Sequence, residues 1–82
     1  MREKYQQELR QFEKYNFPEF VWTDLNAYYD AKEKYIEEHE DDFIYRKFDM
    51  AYTSIKSQWV CGKISENTFW ELTRLLKKGV VV

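Results

Sequence analysis

Three residues punctuate this chain. Gly62, Gly79 and Pro18 are its only glycines and its only proline. An all-β domain of 82 residues needs many tight reversals, and the turn formers for them are missing. Long helices with few connections remain, and plentiful Glu, Lys, Leu, Gln and Arg suit them. The length predicts a single domain over residues 1–82 with one modest core. Stability at that size is ~4–12 kcal/mol from the usual per-residue range. A core so small leaves no space for a large enclosed pocket beside it, which disfavours an enzyme. At 44% apolar residues, the chain is too hydrophobic for a disordered one.

The apolar periodicity fills in the elements. Tyr5, Leu9 and Phe12 stand at i, i+4 and i+7 and predict a first helix over 2–15. Pro18 drives Phe17 out of helical geometry and favours a helix start at or just after itself. Thr23 is a competing start, because its hydroxyl can cap helix amides; the residues leave the choice open. The second helix then runs to about His39 on a stripe of Val21, Leu25, Tyr28, Lys32 and Tyr35/Ile36. Asp41 or Asp42 can cap a third helix over 42–61, where Ile44, Phe48, Ala51, Ile55 and Trp59 repeat at spacings of four and three. Tyr45, Tyr52 and Val60 widen that stripe. Gly62 suits the left-handed turn that closes a helix. Ser65 caps a fourth helix to about Lys78, with Phe69, Leu72, Leu75 and Leu76 inward and Lys77 and Lys78 in its last turn. The fold class is therefore all-α: a small bundle of three or four helices with a C-terminal helical hairpin. Val80–Val82 are too few for an independent strand.

The run Gly62-Lys63-Ile64-Ser65-Glu66-Asn67-Thr68-Phe69, followed by Leu75-Leu76, resembles the short SHOCT-type C-terminal helical hairpin of bacterial proteins. Asn67 and Thr68 stand where that pattern has acids, and the Leu pair falls one residue early. The resemblance covers residues 62–76 and implies an oligomerising or docking hairpin, with no catalytic residue to carry over.

Chemistry-bearing motifs are few. Cys61 and His39 are the only Cys and His and lie at the ends of different segments, so Cys61 reads as a small buried hydrophobe rather than a nucleophile. His39 sits in the acidic run Glu37–Asp42, but no zinc or calcium ligand spacing accompanies it. Two glycines seventeen residues apart make no phosphate loop, and no cofactor or metal is implied. A lone cysteine predicts a reducing, cytoplasmic setting. MREKYQQELRQ has no apolar signal run, and no stretch approaches transmembrane length, so no membrane partner is expected.

Charge and aromatic content are more informative. Residues 19–42 carry nine acids and two bases, net −7, while the remainder is net +5. Sixteen aromatic residues are too many for one small core, so some rings should reach the surface, where Tyr and Trp favour interfaces. Once the second helix turns its stripe inward, Trp22, Tyr29, Asp30, Glu33 and Glu37 are left as candidates for solvent. Tyr29, Glu33 and Glu37 recur every four residues and share a face. The predicted function is a small non-catalytic interaction or regulatory protein. Aromatic-rich helix faces and the acidic lobe would bind another protein, one with a basic surface; self-association is a second outcome. An alternative is a DNA-binding or transcription-regulating domain using Arg46, Lys47, Lys63, Arg74, Lys77 and Lys78, although Glu66 and Glu71 on the same helix oppose phosphate contact. A third is a phage or mobile-element inhibitor whose acidic lobe imitates nucleic acid.

Overall fold

The computed structural model describes residues 5–35, 38 and 41–78. Among these residues the chain is entirely helix and connection. The helices are α1 (Gln6–Glu13), α2 (Glu19–Tyr35), α3 (Asp41–Val60) and α4 (Glu66–Lys77). The predicted extensions over residues 2–4 and over residues 36, 37 and 39, and the Val80–Val82 tail, lie outside the described residues, as does Gly79.

The ends of the helices follow from local chemistry. After Glu13 the α1 ladder tightens: the Tyr15 and Asn16 amides donate to the carbonyls of Phe12 and Glu13, three residues back. Asn16 then takes φ +52°, a left-handed turn that Asn tolerates. So α1 stops two residues before its predicted end. The Pro18 carbonyl receives the Val21 and Trp22 amides, which settles the start of α2 in favour of Pro18. Thr23 is interior, and its hydroxyl donates back to the Glu19 carbonyl at 3.1 Å instead of capping. Asp41 and Asp42 lie inside the first turn of α3 rather than ahead of it, where their charge still suits the helix dipole. Gly62 takes φ +79° after α3, and the Ser65 hydroxyl accepts the Thr68 amide at 3.1 Å to start α4.

Helices α2 and α3 form the antiparallel centre. Asp24 accepts from Ser54, Tyr28 meets Phe48 at 5.8 Å, and Tyr35 meets Phe43 at 5.1 Å, so rising numbers on α2 meet falling numbers on α3. Helix α4 returns along α3, with Phe69 against Trp59 at 4.8 Å and Tyr52 at 5.4 Å. Its C-terminal end reaches α2, where Tyr28 donates to the Leu76 carbonyl. Helix α1 lays Tyr5 and Phe12 on Tyr29 of α2 at 5.4 and 6.4 Å. Phe12, Val21, Leu25, Tyr28, Tyr29, Ile44, Ala51, Ile55, Phe69 and Leu76 are the fully enclosed core.

Two parts of the predicted α3 stripe do not hold. Tyr45 is 50% exposed and Val60 74%, because both stand on the side of α3 that no helix covers completely. Trp59 is half-buried, stacked on Phe69 at the edge of the core rather than inside it. Cys61, predicted to be buried, is exposed just beyond the end of α3.

Candidate interaction surface

The surface predicted on α2 does not assemble. Tyr29 is completely enclosed, packed among Tyr5, Phe12 and Tyr28, with its hydroxyl donating to Glu8 Oε1 at 3.2 Å. Trp22 is half-buried against the core and Glu33 is half-buried. Asp30 is exposed, and Glu37 lies outside the described residues. The prediction allowed α2 one buried stripe. The helix has neighbours on two sides, α3 with α4 and then α1, so its buried arc is wide enough to include Tyr29.

The side chain that the wide arc also swallows is Lys32. It is fully enclosed, with Nζ donating to the Lys78 carbonyl at 2.8 Å and lying 4.0 Å from Glu8 Oε1. The rings of Tyr5, Tyr28 and Tyr29 stand 4.8, 5.2 and 5.1 Å from the ammonium. Lys32 thus ties α1, α2 and the end of α4 together, and its cation faces the carbonyl end of a helix dipole. Burial, and next the Glu8 carboxylate, push the phenols of Tyr28 and Tyr29 well above the ordinary value of 10.0, so both stay neutral hydrogen-bond donors. The sequence carried one signal for this: Lys32 falls on the apolar stripe.

The residues predicted for nucleic acid divide between α3, the α3–α4 turn and the end of α4. Arg46, Lys63, Arg74, Lys77 and Lys78 are exposed, while Lys47 is half-buried with its ammonium 5.4 Å from the Phe43 ring. Lys63 borders a hollow shared with Tyr15, Pro18 and Cys61. Lys78 borders another between α1 and α4, lined mainly by Gln7, Glu8, Gln11, Lys14 and Glu71. Lys77 borders a third.

That third hollow is the one built from rings. It is a groove of about 200 Å³ between α3 and α4. Buried Phe48 and Thr73 lie at its base. Tyr45, Tyr52 and Trp70 wall it, with Trp70 44% exposed and Tyr52 half-buried. Asp49 and Lys77 complete the lining. The spacing Tyr45, Phe48, Asp49, Tyr52 is i, i+3, i+4, i+7, one face of α3 over two turns.

The walls are held in place. Phe48 meets Tyr45 at 6.1 Å and Tyr52 at 6.0 Å, and Phe69 beneath meets Tyr52 at 5.4 Å and Trp70 at 5.0 Å. The Trp70 indole donates to Glu66 at 3.3 Å. Such an arrangement can take an apolar side chain from a partner at little ordering cost, because its rings are already braced. The sequence pattern puts Tyr45 and Tyr52 on the core stripe of α3 and leaves Trp70 off the inward face of α4. Only the pairing of those two helices shows that they share a groove. No protein-family model matches the chain, and neither the curated proteins nor the solved structures include one similar to it.

Proposed function

We propose that this chain is a small non-catalytic interaction domain that binds another protein chain through the α3–α4 groove. The observation that carries the reading is the trio Tyr45, Tyr52 and Trp70, solvent-accessible rings standing around a buried base. Large rings over a desolvated base are the usual anchors of protein interfaces. Charge narrows the partner. Residues 41–78, which include both groove helices, hold seven bases and five acids, net +2, and Arg46, Lys56, Arg74 and Lys77 are exposed on those helices. An apolar segment flanked by carboxylates is the complement. The net −7 stretch over residues 19–42 gives the molecule a strong charge asymmetry, which selects one docking orientation.

A nucleic-acid partner is less well supported, because Asp49 and Glu66 stand at or beside the ring-lined groove. The test is a photo-crosslinking residue at Tyr45, introduced into the full chain in its native host. The expected result is a protein adduct that survives nuclease treatment and disappears when Trp70→Ala is added. A nucleic-acid adduct, or a protein adduct indifferent to Trp70→Ala, overturns the proposal. With a purified partner, Trp70→Ala should weaken binding about 30-fold, the hot-spot threshold of ~2 kcal/mol.

A further inference from the structure

The acidic stretch of the chain carries an exposed ring of its own. Phe20, in the first turn of α2, is 52% exposed, the most exposed aromatic ring among the described residues. Glu19 precedes it and is exposed, and Asp24 follows one turn later. Phe20 is therefore an apolar anchor beside carboxylates, the chemistry that the α3–α4 groove complements. It cannot serve its own groove. The antiparallel register that joins Asp24 to Ser54 sets Phe20 beside the C-terminal half of α3, whereas the groove uses Tyr45–Tyr52. Residues 49 and 57 of α3 are already ~12 Å apart along the helix at 1.5 Å per residue.

We infer that the groove's occupant is a second copy of this chain, seated head to tail, with Phe20 and Glu19 of one copy against Tyr45, Tyr52, Trp70 and Lys77 of the next. Charge supports that choice. The helix that holds Phe20, α2, has four acids and two bases over residues 19–35, net −2, and residues 41–78, which hold the groove, have seven bases and five acids, net +2, so attraction between copies operates although the whole chain is net −2. Two different surfaces meet, so the contact is heterologous and does not close on itself as a two-fold dimer would. Assembly then grows with concentration. It weakens as salt screens the exposed charges.

The inference rests on the groove reading, and sedimentation velocity on the full chain separates the two. Wild type should gain weight-average mass with concentration and lose part of that gain in high salt. Phe20→Ser and Trp70→Ala should each be monomeric, with the far-UV circular dichroism of wild type. Mixed together they should form a 1:1 complex, because the first keeps its groove and the second keeps its ring. Lys77→Glu is a second groove variant should Trp70→Ala disturb the fold; it too should be monomeric alone and form the 1:1 complex with Phe20→Ser, because it keeps its ring. A wild type that stays monomeric up to about 1 mM, the weak end of specific affinity, overturns self-association, as does a mixture that stays monomeric. In either case a foreign protein crosslinked at Tyr45 leaves the groove reading standing. A wild-type assembly that persists unchanged in Trp70→Ala overturns the inference, because the copies then meet through another surface, and the Tyr45 crosslink alone decides the groove reading.

Discussion

Replacing Lys32 with Met asks whether a buried cation stabilises this bundle or is merely tolerated by it. Met keeps most of the unbranched stem and removes the charge. Favourable contacts of the ammonium disappear with it. The charged hydrogen bond to the Lys78 carbonyl at 2.8 Å contributes ~1.5–3 kcal/mol. The tyrosine rings around the ammonium contribute ~0.5–2 kcal/mol. Attraction to Glu8, 4.0 Å away, is ~4 kcal/mol at an effective dielectric constant of 20. Against these stands the desolvation of the ammonium, several kcal/mol, which Met no longer incurs. Glu8 is 15% exposed at its side chain and still receives the Tyr29 hydroxyl, so part of its lost partner is replaced by water. The balance predicts a destabilisation of ~2 kcal/mol for Lys32→Met.

Lys32→Ala also removes about three buried methylenes, for ~4 kcal/mol in total at ~0.8 kcal/mol each. Urea unfolding followed by circular dichroism measures both, and the Met variant should lose ~8–16 °C in Tm. A Met variant as stable as wild type would refute the reasoning and show that desolvation cancels every contact the ammonium makes. A double-mutant cycle with Glu8→Gln isolates the pair, and a coupling below ~0.5 kcal/mol would mean that Glu8 contributes nothing through Lys32.

Two further outcomes follow from the same packing. Tyr28 and Tyr29 hold their protons more tightly folded than unfolded, mainly through burial. Their contribution is therefore fully present below pH 10 and falls as pH rises past it, by ~1.4 kcal/mol per pH unit for each phenol. Thermal melts from pH 9 to 12 should show that slope, and Tyr29→Phe should flatten it by about half; an unchanged slope would place the alkaline loss elsewhere. Trp59→Ala should cost ~2 kcal/mol, below the ~3–5 kcal/mol of a fully buried ring, since Trp59 is half-buried and keeps chiefly its stack on Phe69. A loss above ~4 kcal/mol would show that the indole behaves as core.

What the sequence made legible is what neighbouring residues decide among themselves. Gly62 with φ +79° and Ser65 capping Thr68 are local events, and they locate the turn between α3 and α4 to the residue. The stripe Ile44, Phe48, Ala51, Ile55 is likewise a property of one helix, and all four are buried. What stayed hidden depends on how many neighbours a helix has and at what angles. A period of 3.6 finds the centre of the buried arc of α2 but not its width. Tyr29 enters the core because α1 crosses α2 there, and nothing within α2 announces that crossing. Lys32 shows the same limit from the other side. Its position on the stripe was plain, but a lysine there reads as a stem with a head reaching for water, and only the end of α4 supplies the carbonyl that keeps it inside. The sixteen aromatic rings divide by this rule. Phe12, Tyr28, Tyr29 and Phe69 are enclosed, Tyr28 between Phe48 of α3 and the end of α4 and Tyr29 under α1. Among the described residues, Tyr45, Tyr52 and Trp70 wall a groove lined by α3 and α4 alone. With no third described helix over it these rings stay exposed, and under the proposed reading a segment from another chain fills that place.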